Sequence, residues 1–134
     1  AGDDGGGGGL RGQALGEMAI VLPLLLLLAL GSVDIGLWLY ARAQAGAAVR
    51  EGARLGAVVW QDPQADQRVR ERVTVVFGQP PHTQAGPVAV SYPEGRRRGG
   101  AIVVHLPCDY VPYAPGVRDL LRLPCDMQAT MRLE

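Results

Sequence analysis

The sequence predicts an α+β protein. A long N-terminal transmembrane helix extends outward, followed by a second short helix and a small three-stranded antiparallel sheet. Three observations predict this. Residues 18–41 form an apolar stretch whose only charge is Asp34. Val69, Val73, Val76 and Phe77 recur at helical spacing, and three later segments alternate apolar and polar residues with the period of a strand.

The apolar stretch lies between Glu17 and Arg42 and holds seven leucines between Leu22 and Leu30. As a helix it reaches about 36 Å, enough to cross a hydrocarbon core of about 30 Å with some tilt. Trp38 and Tyr40 stand at its far end, where amphipathic rings favour the membrane–water boundary. A soluble core helix rarely needs an apolar surface all the way round for six turns. Pro23 removes one backbone donor and is expected to kink the helix, which membrane helices tolerate. Asp34 is the intramembrane acidic residue. It is costly at the bilayer centre, so it is expected near the outer boundary or against a partner helix. A cleaved secretory signal is the competing reading. Ala41-Arg42-Ala43 and Ala43-Gln44-Ala45 both resemble its cut site, but the stretch exceeds the usual 7–15 residues of such a signal.

Residues 1–12, with Gly5 to Gly9 in a row, read as a flexible leader. They are no phosphate loop, because no Gly-Lys-Ser/Thr follows and no strand precedes. Residues 13–60 form the transmembrane and extended helix, and residues 61–134 a small α+β domain. Gly52 and Gly56, like Ala53 and Ala57, are four apart, a spacing that lets helices approach closely. In the domain, Asp62-Pro63 starts the second helix and Gly78 ends it. Gln79 to Pro87 reads as a loop and Tyr110 to Pro115 as irregular, with a helical turn at Val117–Leu121. The strands are centred on Val88–Tyr92, Ile102–Leu106 and Met127–Leu133.

Two cysteines, Cys108 and Cys125, flank a Tyr-Pro loop, and a disulfide between them would staple a small domain in an oxidising compartment. Free thiols, or a metal held with His105 and Asp109, are the alternatives; the latter lacks the paired spacing of a zinc site. Arg96, Arg97 and Arg98 sit at a hairpin tip, either as a solvated turn or in contact with anionic headgroups or an acidic partner. Thirteen basic residues balance thirteen acidic ones, which argues against nucleic acid as a partner. No nucleophile–base pair stands out, so no enzyme and no cofactor are expected: Ser32 lies in the span, Ser91 in a strand, and His82 and His105 have no motif around them.

The stretch Arg11-Gly12-Gln13-Ala14-Leu15-Gly16-Glu17-Met18-Ala19-Ile20-Val21-Leu22-Pro23, continuing into leucines, resembles the start of TadE-like proteins. These are pseudopilins of the tight-adherence (Tad/Flp) pilus system. Asp34-Ile35-Gly36, Leu39-Tyr40-Ala41-Arg42, Val49 to Arg54 and the ending Ala129 to Glu134 match further features of that family. The resemblance is dense over residues 11–57 and sparse from there to about residue 126; Gly16 and Leu37 depart from the usual pattern.

The resemblance implies a pilin-like fold and a minor component of pilus biogenesis that works by helix-bundle assembly. It implies cleavage by a prepilin peptidase between Gly12 and Gln13, which would make Glu17 the fifth residue of the mature chain. Glu17 would then serve assembly and docking, paired with a neighbouring subunit's new α-amine. A plain first-turn acidic residue favoured by the helix dipole is the alternative. The implied partners are membrane lipid, the peptidase, other pilins or pseudopilins and the pilus assembly platform. The implied location is the inner (cytoplasmic) membrane, single-pass, with the N-terminus cytoplasmic. The charge bias points the other way, with Arg42, Arg50 and Arg54 after the span against Arg11 before it; the resemblance is preferred here. The rival class is a single-pass anchored or secreted binding module unrelated to pili.

Overall fold

The computed structural model describes residues 7–134. Helix α1 runs from Gly7 to Val59 and α2 from Ala65 to Phe77. Six strands follow: β1 (Thr83–Ala85), β2 (Ala89–Ser91), β3 (Ala101–Leu106), β4 (Cys108–Tyr110), β5 (Leu123–Pro124) and β6 (Met127–Arg132). They form two antiparallel three-stranded sheets, ordered β2-β3-β6 and β1-β4-β5. The first is the expected sheet. The second, smaller one uses residues expected to be loop and irregular segments.

Helix α1 has two different halves. From Gly9 to Ser32 every side chain is exposed except at Gly31, which is partly covered. From Asp34 onward a stripe of Asp34, Ala41, Ala45, Ala48, Val49, Ala53 and Ala57 is buried at helical spacing. The stripe is built of small residues, so the rest of the chain packs close against the helix axis. A methyl group at Gly52 would collide with Cγ2 of Val73 on α2, and one at Gly56 with Cδ1 of Ile102 on β3. The close approach anticipated from the glycine and alanine spacing therefore operates within this chain, between α1 and its own domain.

The amphipathic pattern of α2 is as expected: Val69, Val73 and Phe77 are buried. Gly78 closes the helix in the left-handed conformation, φ 60°, and its N–H bonds to the Thr74 carbonyl. The start differs slightly. Asp62 and Pro63 form a turn just before the helix, in which Asp62 Oδ1 accepts the Gln64 N–H at 2.9 Å. On β3, Ile102, Val104 and Leu106 face the core, opposite Met131, Ala129 and Met127 of β6.

One expectation about α1 changes. A flexible leader is expected over residues 1–12; residues 1–6 lie outside the described residues, and residues 7–12 are helical. Once a helix is nucleated, each added residue gains a hydrogen bond, so even glycines can extend it. The helix also passes through Pro23 unbroken. From Asp34 the domain covers one side of α1, while Ile35, Leu39 and Tyr40 stay exposed.

Candidate functional site

Two places bear on function: the bare apolar half of α1, and the junction where the domain is fastened to it. The first presents Leu22, Leu24 to Leu28 and Leu30 as exposed side chains. It is a helix long and apolar enough to cross a membrane. Gly12, Gln13 and Glu17 lie exposed on the same helix. Glu17 stands ten residues after the helix start at Gly7. A helix dipole acts within the first turn, so it does not account for an acidic residue there in the uncut chain.

At the junction, Asp34 is only 5% exposed, and its carboxylate takes three donors from the domain. The Tyr110 hydroxyl donates to Oδ1 at 2.9 Å, the Tyr113 N–H to Oδ1 at 2.7 Å and the Ala114 N–H to Oδ2 at 3.0 Å. Asp34 thus takes its donors from its own chain rather than from a partner helix. Hydrogen bonds to an ionised group contribute about 1.5–3 kcal/mol each, and the buried carboxylate depends on them. Burial, and then the bond to Asp34 and its charge, push the Tyr110 phenol far above its ordinary range, so it stays protonated and keeps donating.

The small sheet exists to build this junction. Tyr110 ends β4, which pairs with β1 on one side and β5 on the other. His82, next to β1, stacks on the Tyr113 ring with centroids 3.4 Å apart, and its carbonyl accepts the Val111 N–H at 2.8 Å. His82 holds φ 58°, a left-handed conformation unfavourable for a side chain of its size. Cys108 and Cys125 are joined in a disulfide with Cα atoms 4.9 Å apart, which links β4 to the segment after β5. The bond consumes both thiols of the metal alternative, and no metal-binding cluster is present among the described residues.

One turn beyond Asp34, the Trp38 indole N–H donates to the Pro124 carbonyl at 2.9 Å. Trp38, the expected boundary ring, is partly buried against the core, with the Arg42 guanidinium over its face at 5.1 Å. Ala41 and Ala45, from the two motifs resembling a secretory cut, are fully buried in mid-helix.

The arginine tip is at the opposite end of the domain. Gly99 and Gly100 bond Leu133, and the Glu134 N–H bonds the Ala57 carbonyl. Ala57 is about 35 Å up the helix from Asp34. Arg96 pairs with Asp66 at 2.6 Å and lies 4.7 Å over the Tyr92 ring, while Arg97 pairs with Glu94 at 3.5 Å. Such pairing fits a structured turn better than an open headgroup site.

The sequence singled out Asp34 but not its partners. An acidic residue in an apolar helix signals that some donor must meet it; nothing in Tyr110-Val111-Pro112-Tyr113-Ala114 marks that segment as the donor. Residues 12–54 match the family described as TadE-like protein. The match covers α1 from the expected cut site through Asp34 and into the buried stripe, and agrees with the resemblance read from the sequence. Together with the apolar helix it fits a Tad pilus-associated membrane component. No curated protein and no solved structure matches the chain.

Proposed function

We propose that this chain is a minor pseudopilin-like subunit of Tad/Flp-type pilus biogenesis, anchored by α1 in the cytoplasmic membrane with its α+β domain outside. The match of residues 12–54 to TadE-like proteins carries the proposal. The chain acts by assembly rather than catalysis. A prepilin peptidase cuts between Gly12 and Gln13, and Glu17 docks the helix into a bundle of other pilins or pseudopilins at the assembly platform.

Physical observations support each part. Among the described residues, the apolar half of α1 has no buried side chain before Asp34, as suits a surface meant for lipid or for other helices. The Cys108–Cys125 disulfide suits a domain outside the reducing cytosol. A cut before Gln13 would bring Glu17 close to a new helix N-terminus, and its carboxylate would then suit a neighbour's α-amine.

N-terminal sequencing of the mature protein tests the reading. A start at Gln13 is expected. A start at Gln44 or Gly46 means a secreted protein, and an uncut chain means a plain anchor. Glu17→Ala should leave protein level and cleavage normal and abolish pilus assembly; normal pili in that strain would overturn the docking role.

A further inference from the structure

The segment from Tyr113 to Pro124 is the part of the domain set nearest the bare half of α1. Its two feet stand on successive turns of the helix, one on Asp34 through Tyr113 and Ala114, the other on Trp38 through Pro124. Those turns are about 6 Å apart along the axis. Among the described residues before Asp34, no side chain of α1 is buried. Between the feet the chain makes a tight turn in which the Val117 carbonyl accepts the N–H groups of Leu120 and Leu121. The turn exposes Leu120 at 83% and Leu121 at 53%, with Arg118 and Arg122 beside them and Tyr113 half exposed.

Depth follows from arithmetic. A hydrocarbon core of about 30 Å takes roughly 20 helical residues. Counted from Met18, the first residue after Glu17, that length ends at Leu37. Asp34 and Trp38 bracket this level, so a loop standing on them lies where acyl chains meet headgroups. The face of α1 turned away from the domain stays apolar at the same height, with Ile35 and Leu39 exposed. An adjacent pair of exposed leucines is out of place in water but suited to that boundary. Tyrosine favours it too, and arginine can lay its stem along apolar surface while its head reaches phosphate.

We propose that the Tyr113–Pro124 loop is a second membrane contact, with Leu120 and Leu121 set into the lipid boundary and Arg118 and Arg122 toward lipid phosphates. The proposal rests on the anchor reading of α1 given above. Its consequence is orientation. A single helix can rotate and tilt freely, whereas a helix plus a loop fastened to it holds the domain at one attitude to the membrane. The loop also walls Asp34 off from acyl chains.

Spin labels on the full chain, reconstituted in vesicles of phosphatidylcholine with phosphatidylglycerol, test this. Labels are placed singly through Leu120→Cys, Leu26→Cys and Arg97→Cys, with the native disulfide intact. Accessibility to oxygen, which concentrates in lipid, is compared with accessibility to a water-soluble nickel chelate. The expected result is an oxygen-to-nickel ratio at Leu120→Cys several-fold above that at Arg97→Cys and approaching that at Leu26→Cys. A ratio at Leu120→Cys equal to that at Arg97→Cys, with Leu26→Cys in lipid, overturns the loop contact and leaves the anchor standing. Low accessibility to both reagents at Leu120→Cys means a protein neighbour covers the loop, and overturns it as well. A water-accessible Leu26→Cys overturns the anchor reading itself.

Discussion

The two halves of α1 form one continuous helix yet follow opposite packing rules. Before Asp34 the helix shows leucines on every side, and none of its described residues is buried. After Asp34 its buried face is mostly alanine and glycine, with Val49 the larger exception, and the bulky partners come from α2 and the sheet: Val69, Val73, Ile102 and Val104. Large side chains on a helix make a thick apolar cylinder suited to lipid. Small ones make a groove into which other elements sink. Asp34 marks the change of rule, as the first buried residue of α1 among those described and the one that takes bonds from the domain.

The strongest way to break this division is at its border. Asp34→Ala leaves the Tyr110 hydroxyl and two backbone N–H groups buried without an acceptor, so the domain should lose about 3–5 kcal/mol of stability. Membrane insertion should not suffer, because the change removes a charge from the helix. Thermal unfolding in detergent and carbonate extraction of membranes measure the two separately. An unchanged melting temperature would mean that the junction is not fastened through Asp34.

A pair of glycine substitutions sharpens the contrast between a covered and an open face. Gly52→Ala forces a methyl group into Val73 and should destabilise the domain by about 1–3 kcal/mol. Gly36→Ala meets nothing within 4 Å and should stabilise the helix by up to about 1 kcal/mol, the ordinary gain in helix propensity. Opposite signs in the same melting assay are the expected outcome. Equal effects would show that α1 does not pack on α2 at Gly52.

The smallest effect lies at the far end of the domain. Burial, and then the bond and charge of Asp66, push the Tyr92 phenol up to about 12. The folded state therefore favours the neutral phenol. Its contribution is complete below about pH 10, the ordinary value, and is lost as pH rises through about 12. Tyr92→Phe should make the alkaline loss of stability between those values shallower, without abolishing it, because Tyr110 is also held above its ordinary range. An identical pH–stability curve for the variant would exclude Tyr92 from the alkaline transition.

Much of the architecture was readable from periodicity. Val69, Val73 and Phe77 announced α2, Gly78 its end, and the alternation of Ile102, Val104 and Leu106 the central strand. The second sheet was not readable. Thr83–Ala85, Cys108–Tyr110 and Leu123–Pro124 are two or three residues long, too short for alternation to register, and they exist because they pair with one another across the chain. The point at which the domain meets the helix was not readable either. Hydropathy continues through Leu39 and Tyr40, while the domain already leans on the opposite face from Asp34.

By itself the sequence determined that the chain has a lipid-suited helix, a short amphipathic helix and a small sheet, because these depend on local spacing and on the cost of moving apolar or charged groups between solvents. It also determined that Asp34 needs an explanation, since a lone carboxylate among leucines cannot stay unpartnered. The tertiary structure alone decided what the partner is. The donors on Asp34 come from residues 76 to 80 positions away, two of them backbone N–H groups that every non-proline residue carries. Backbone donors leave no mark in a sequence. Only the pairing of β4 with its neighbours, and the Cys108–Cys125 link beside it, turn those N–H groups toward the helix.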